Sequence, residues 1–534
     1  MNTLLPAIFP ELVLIVTACV LFIVGVSNKA ASRRFAPVLA LVALMFVFGY
    51  QCRQSAGDRA AITDPFNTIH VAKFAEYIKL LTAGIGVLLV LLAWPTNANA
   101  TGNNALDFGH DAGEFFALML ASLAGIFLVA GANDIILLFL GIELASIPTY
   151  IMVSVSRPIP VAQEAGVKYF FLGAMAAAIM LFGFSYLYGT TGMINLDQIA
   201  DKFADAGAMT PWQQLAIVML VLGFCFKIAA VPLHFYAGDV YQGAATPVTA
   251  FLSYVPKTSG MVALIKILFV ATGMSWIGSP MLIKLLWVLA AATMTVGNVL
   301  GLLQFNVKRV LAYSSIAHSG YMLVGLAALV AATDSPTRQS ALEGVLFYLA
   351  AYGISNAAAF GVLMLLPATQ GQVFGSDEIP PATSAETFED LAGQGRRHPA
   401  LGLAMAVTCF SLIGLPLTIG FFGKLLLIRP ALNAQMYWLV IITVINAAIS
   451  AGYYLRIVGT MFLRAEPEAA TVGNVSRPVM GTPIVAAVCL SAAATLLFGT
   501  ILPATQVLTN ETAGATVIQG GRMSQSGMAR NVTR

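Results

Sequence analysis

Charge is scarce in this chain. Of 534 residues only 10% are Asp, Glu, Lys or Arg, while 59% are hydrophobic. A soluble surface takes about 25% charged residues, so this composition excludes a water-soluble domain and leaves a polytopic membrane protein. Cysteine is scarce too. Cys19, Cys52, Cys225, Cys409 and Cys489 stand singly, with no CxxC pair, which argues against an iron–sulfur or zinc site. There is no dinucleotide-binding or P-loop glycine fingerprint. A formal charge of +3 is too small to suggest nucleic acid as a partner. Long polar stretches are few. The longest, "PATQGQVFGSDEIPPATSAETFEDLAGQGRRHP", has about 33 residues and is too polar and Pro-rich to build its own core. Any chemistry therefore takes place within the bilayer.

What is present is a series of apolar windows of about 20 residues, the length that crosses a bilayer. They lie near 5–27, 35–52, 74–94, 114–131, 133–154, 165–188, 212–233, 245–271, 281–304, 307–331, 342–367, 399–428, 436–462 and 481–503. The first has no small-residue cleavage site after it and reads as a retained helix. The sequence thus predicts an all-α polytopic protein with about fourteen transmembrane helices. The positive-inside rule puts both termini outside and the 368–398 loop inside. Lys29, Arg33, Arg34, Arg157, Lys308, Arg309, Arg396, Arg397, Arg464 and Arg477 then fall in inner loops. Arg53, Arg59, Lys73, Lys202 and Arg338 fall outside, as does the basic tail.

Ionisable residues inside such windows suggest function, because they are costly there. Glu143, Lys227, Lys257, His318 and Lys424 are of this kind, and His234 stands beside them. A buried lysine loses proton affinity, and a nearby carboxylate restores it. A series of buried lysines can therefore relay protons. Snorkelling to the membrane surface is the plainer reading for Lys266, about 13 Å beyond Lys257 along a helix, and for Lys168, Lys284 and Lys308 near window ends.

Two windows contain helix breakers. "AAVPLHFY" carries Pro232, and "IGLPLTIG" carries Pro416 between Gly414 and Gly420. A helix-interior proline removes a hydrogen bond, and irregular backbone at membrane depth persists only inside protein or beside a hydrated cavity. Each break falls in the fourth window of a group of five. Five crossings per group imply two inverted repeats, each with a broken helix. The expected division is a three-helix segment at 1–110, repeats at 111–272 and 273–465, a last helix at 466–505 and a polar tail at 506–534.

The segments "FLGIELASIPTYIMV", "KIAAVPLHFYAGDVYQGAATPVTAFLSYVPK", "NVKRVLAYSSIAHSGYMLVG" and "SLIGLPLTIGFFGKLLL" resemble the antiporter-like membrane subunits of respiratory NADH:quinone oxidoreductase, complex I. "HFYAGDVYQGAATPV" and "FEDLAGQGRRHP" are similar to the subunit N branch, the counterpart of mitochondrial subunit 2. The resemblance covers about residues 110–465. It implies proton translocation in the membrane arm, with NAD, FMN, iron–sulfur clusters and quinone bound in other subunits and no cofactor here. It implies neighbouring antiporter-like and small membrane subunits as partners, and a bacterial inner membrane as the location. It assigns proton translocation to Glu143, Lys227, Lys257 and Lys424, with His234 and His318 along the same axis. The competing expectations are a multisubunit cation/proton antiporter and a scaffold that has lost pumping.

Overall fold

The computed structural model describes residues 4–26, 30–55, 62–64, 67–94, 112–157, 159–206, 209–273, 278–366, 385–465 and 481–500. Expectations for the tail, for most of the 368–398 loop and for the stretches at 95–111 and 466–480 lie outside these residues. The chain begins with α1 (Leu4–Gly25) and α2 (Ala30–Ser55). A short antiparallel pair, β1 (Ile62–Thr63) and β2 (His70–Val71), leads into α3 (Lys73–Leu92). Then come α4 (Ala112–Gly131), α5 (Ile135–Val155), α6 (Pro160–Thr191), a short α7 (Leu196–Ala206), α8 (Pro211–Lys227), α9 (Tyr236–Gly243) and α10 (Thr246–Ala271). The second half has α11 (Pro280–Leu302), α12 (Val307–Ala331), α13 (Ser335–Leu365), the small α14 (Phe388–Leu391) and α15 (Gln394–Arg397), α16 (Pro399–Ile413), α17 (Ile419–Asn433) and α18 (Tyr437–Leu463). The last helix is α19 (Thr482–Thr500).

Each of the fourteen expected windows holds helix. Among the described residues, twelve helices are long and apolar enough to cross a membrane. The windows at 212–233 and 399–428 instead hold shorter helices that stop and restart. In both cases the helix ends before its proline rather than kinking at it. α8 stops at Lys227, Ala229 turns to φ 54°, and Pro232 follows in the connecting turn. α16 stops at Ile413, and Gly414 (φ 90°) and Leu417 (φ 71°) carry the chain past Pro416 to α17. A left-handed φ costs least at glycine, so Gly414 is suited to this helix end.

Helices α10, α12 and α13 form the core. α10 is buried along its whole length, Lys257 and Lys266 included. By contrast Ile23 on α1, Phe171 on α6 and Trp438 on α18 are largely exposed, and apolar surface of this kind faces hydrocarbon or neighbouring subunits. The loops sort into two ends. Arg157, Lys308 and Glu386 meet at one end. At the other, Asn67, Asn133 and Asn195 gather around one another, and Asn67 and Asn133 both donate to Asp197.

Candidate functional site

The site begins where α8 ends. Thr210 and Gln213 close a capping box at its start, and seventeen residues later the helix finishes on Lys227. Its Nζ donates to Glu143 Oε1 (2.9 Å), Ser146 Oγ (2.9 Å) and Tyr150 Oη (3.1 Å). An ammonium has three protons, and each has an acceptor here. Residues 143, 146 and 150 recur at helical spacing, so α5 presents all three from one face. Lys227 is buried. The Glu143 side chain keeps 17% of its surface exposed, on the same stripe of α5 as the exposed Leu140 and Ile147.

Beyond Lys227 a small cavity is lined by Tyr169, Tyr236, Tyr241, Leu252, Pro256 and Lys257. It has room for about one water molecule. Pro256 has no N–H to donate to the preceding turn of α10, which leaves backbone polarity beside Lys257. Among the described residues no carboxylate pairs with Lys257. Its ammonium instead donates to the Ser315 carbonyl and to Ser315 Oγ (2.7 Å). It also lies 4.6 Å from the centre of the Tyr352 ring, within cation–π range.

His318 is the hub that follows. One ring nitrogen bonds Tyr348 Oη (2.7 Å) and the other Tyr454 Oη (3.1 Å). Its ring stands 5.0 Å from Tyr352 and 5.7 Å from Tyr321. Tyr321 in turn lies under Lys424, whose Nζ is 4.6 Å from the ring centre. Two aromatic rings thus bridge Lys257 to His318 and His318 to Lys424. Lys424 turns back across the second break and donates to the carbonyls of Leu412 (3.0 Å) and Ile413 (2.7 Å). These end the hydrogen-bond ladder of α16 and carry its negative dipole end. A Cβ on Gly414 would stand 3.0 Å from Lys424 Cδ, so the glycine also makes room for the lysine stem.

The structure therefore brings Glu143, Lys227, Lys257, His318 and Lys424 into one line through the core. His234 sits half-buried in the first break, and no hydrogen bond or ring contact among the described residues joins it to that line. Pro232 and Pro416 lie in the breaks themselves.

Two lysines depart from the snorkelling expectation. Lys266 is 2% exposed and donates to Ala132 O (2.5 Å). Lys308 is fully buried, donating to Ala244 O (2.6 Å), Gln242 O (3.3 Å) and Glu386 (3.3 Å). Both lie near helix ends, but the loops fold back over them and supply protein acceptors where water was expected. Lys168 and Lys284 do reach the surface, Lys168 pairing there with Glu164 and Asp239. A buried ion pair between Glu11 and Lys79, 2.6 Å apart, was not anticipated. Its signal was present, since both residues stand inside apolar windows and the same cost argument applies to them.

Glu386 ties the end that carries Arg157 and Lys308. Burial alone would raise its pKa, but Lys308 and Arg157 outweigh burial and hold the carboxyl below its usual value. With the folded pKa below the unfolded one, its stabilisation is complete above about pH 4.3 and is lost as pH falls through the folded value. Removing one partner of a buried pair costs about 3–5 kcal/mol. Glu386→Gln should therefore lower the thermal midpoint of the solubilised assembly at neutral pH. The difference from wild type should shrink on acidification, and an equal difference at all pH values would rule the ion pair out as its cause.

Two interrupted helices around a buried line of lysines define a polytopic membrane protein of the antiporter-like class. The family model described as "NADH:quinone oxidoreductase/Mrp antiporter, TM" matches residues 132–450. NADH-quinone oxidoreductase subunit N of Trichlorobacter lovleyi is 37% identical over 93% of this chain and 94% of its own length. The protein of the same name from Rhodospirillum rubrum is 33% identical over 92% and 95%. A chain of respiratory complex I from Thermus thermophilus superposes with a TM-score of 0.71 at 28% identity, covering 93% of this chain and 99% of that one. A chain of the Mrp complex from Dietzia, at 19% identity and a TM-score of 0.75, covers 94% and 97% and shares the fold. The chain belongs to the NADH:quinone oxidoreductase/Mrp antiporter family of membrane subunits.

Proposed function

We propose that this chain translocates protons as a membrane-arm subunit of an NADH:quinone oxidoreductase in a bacterial inner membrane. The observation that carries this is the buried line Glu143–Lys227–Lys257–His318–Lys424, each member joined to the next by a direct bond, a small cavity or an aromatic ring. A proton arriving near Glu143 shifts the balance between that carboxylate and the Lys227 ammonium. Loss of the ion pair leaves the buried Lys227 ammonium without its counter-ion, and the tyrosine-lined cavity offers a route to Lys257. Lys257 and Lys424 have neutral acceptors rather than acids, so neither is locked in its charged form. His318 can take a proton at one nitrogen and release it at the other. In this reading NAD, FMN, iron–sulfur clusters and quinone belong to other subunits, and this chain carries the ion path.

The series α4, α5, α6, broken α8–α9, α10 has the same order as α11, α12, α13, broken α16–α17, α18. That order supports two inverted repeats at 111–272 and 273–465, with Glu143, Lys227 and Lys257 in the first and His318 and Lys424 in the second. The neighbours would be another antiporter-like subunit and small membrane subunits, covering the exposed apolar faces.

A complex purified through a tag on this chain should contain flavin and iron–sulfur clusters and reduce quinone with NADH. A purely membranous assembly that exchanges cations for protons would instead select the antiporter alternative.

A further inference from the structure

Helix α9 borders the cavity beside Lys227 and Lys257, and what holds it in place lies outside the line just described. It has eight residues and follows directly from the first break. Its buried side supplies Tyr236, Val240 and Tyr241 to the wall of the cavity. Tyr236 Oη donates to Phe226 O (2.7 Å), on the residue that precedes Lys227. Tyr241 Oη meets Ser315 Oγ at 3.2 Å, and that hydroxyl also accepts from Lys257. One short helix thus touches the surroundings of both lysines.

The other side of α9 carries Asp239, which is 39% exposed. Two cations from different helices grip its carboxylate. Lys168 of α6 donates to Oδ2 (3.1 Å), and Arg309 of α12 donates to Oδ1 (2.7 Å). Glu164 holds Lys168 in turn (2.7 Å). Gln242 and Gln304 each accept from Arg309 at 3.0 Å. A Cβ on Gly238 would stand 3.3 Å from Arg309 Nη2, so the backbone of α9 lies close to the guanidinium. The cluster sits at the end of the bundle where Lys308 bonds the carbonyls of Gln242 and Ala244. A helix of two turns is marginal by itself, so contacts of this kind decide where α9 stands.

We propose that Asp239 is a positioning residue for proton transfer: clamped between Lys168 and Arg309, it holds α9 as the wall between the Lys227–Lys257 cavity and the aqueous phase at that end. The reason is geometric. Val240 and Tyr241, the next two residues, line the cavity, so a shift of α9 at Asp239 moves the wall directly. A displaced wall admits further water and breaks the Tyr241–Ser315 contact. A proton passing between Lys227 and Lys257 then leaks out at that end instead of moving along the line. Among the described residues Asp239 bonds no member of the line, and it transfers no proton itself.

The proposal rests on the relay reading, and two readouts separate them. The first needs no pumping. Leu252, buried on the cavity wall, is replaced by Leu252→Cys, and the assembled complex in nanodiscs is treated with a charged thiol reagent. Mass spectrometry reads modification at position 252 and at the native Cys409, which is buried on α16 away from α9. Adding Asp239→Asn should speed modification at 252 about fivefold, the shift that losing two partly exposed ion pairs allows. Asp239→Glu keeps the charge and should return the slow rate. Cys409 should stay slow throughout, whereas a general loosening of the fold would expose both positions and overturn the inference. The second readout is proton uptake per NADH oxidised in vesicles, with Leu252 in place. Asp239→Asn should lower this ratio, and Asp239→Glu should restore it. Wild-type modification at 252 in Asp239→Asn overturns the inference, and so does faster modification with an unchanged ratio. Lys257→Arg is run alongside. If it pumps normally, the relay reading and this inference fall together. If it is inactive while Asp239→Asn behaves like wild type, this inference alone is overturned.

Discussion

Glu143→Gln and Lys227→Ala should each cut NADH-driven proton pumping by about tenfold or more, and the double variant should be no worse than the worse single. The expectation comes from the 2.9 Å contact between them. Lys227 also bonds Ser146 and Tyr150, so its ammonium is satisfied only as part of this cluster. Glu143→Gln keeps an acceptor of similar shape but removes the charge, leaving a buried ammonium without its counter-ion. That costs about 3–5 kcal/mol. Lys227→Ala removes the relay group and strands a carboxylate that remains partly exposed, so it should disturb assembly less. Groups in one network show coupling energies of about 0.5–3 kcal/mol. Proton uptake by vesicles, normalised to NADH oxidation, measures all three variants. Strictly additive losses would mean that the two residues act independently and would sink the switch described here.

Lys424→Arg is the second large effect. Arginine keeps the positive charge and can still donate to the carbonyls of Leu412 and Ile413, but it does not give up its proton. The variant should therefore assemble, oxidise NADH and pump poorly, with uptake reduced about tenfold. The geometry makes this a sharp test. Lys424 serves two purposes, capping the end of α16 and lying over the Tyr321 ring next to His318. A capping role needs only a cation donor, which arginine supplies. A relay role needs a group that cycles between charged and neutral. Normal pumping with Lys424→Arg would reduce this lysine to a fixed cap and leave the second half of the line without a relay.

Much of this protein was legible in the sequence because the bilayer imposes strict rules on it. A backbone in hydrocarbon must satisfy its own hydrogen bonds, so apolar windows of spanning length have one outcome, and helix stands in each. The cost of an ionisable group at depth is equally local in origin. It singled out Glu143, Lys227, Lys257, His318 and Lys424 without knowledge of their neighbours. Proline and glycine marked the two breaks, since both act on the backbone that carries them.

Contacts between distant segments were decided by the tertiary structure. Opposite charges buried at similar depth point to Glu143 and Lys227 as partners, and the packing of α5 against its neighbours closes that contact across 84 residues; the sequence could not say that Tyr321 and Tyr352 bridge the lysines to His318. Tyrosine in an apolar helix has no period of its own to announce a bridging role. Lys266 and Lys308 read as snorkelling because each lies near a helix end. The fold covers them with loops from Ala132 and from Glu386, and whether a lysine meets water or a carbonyl depends on what packs over it. Glu11 and Lys79 obeyed the same cost rule as the central residues, but only the packing of α1 against α4 and of α3 against α4 placed them within 2.6 Å of each other. Composition and spacing fixed which groups are expensive to bury. The arrangement of the helices decided which of them share their charge, because Coulombic and hydrogen-bond partners act over a few ångströms in space and not along the chain.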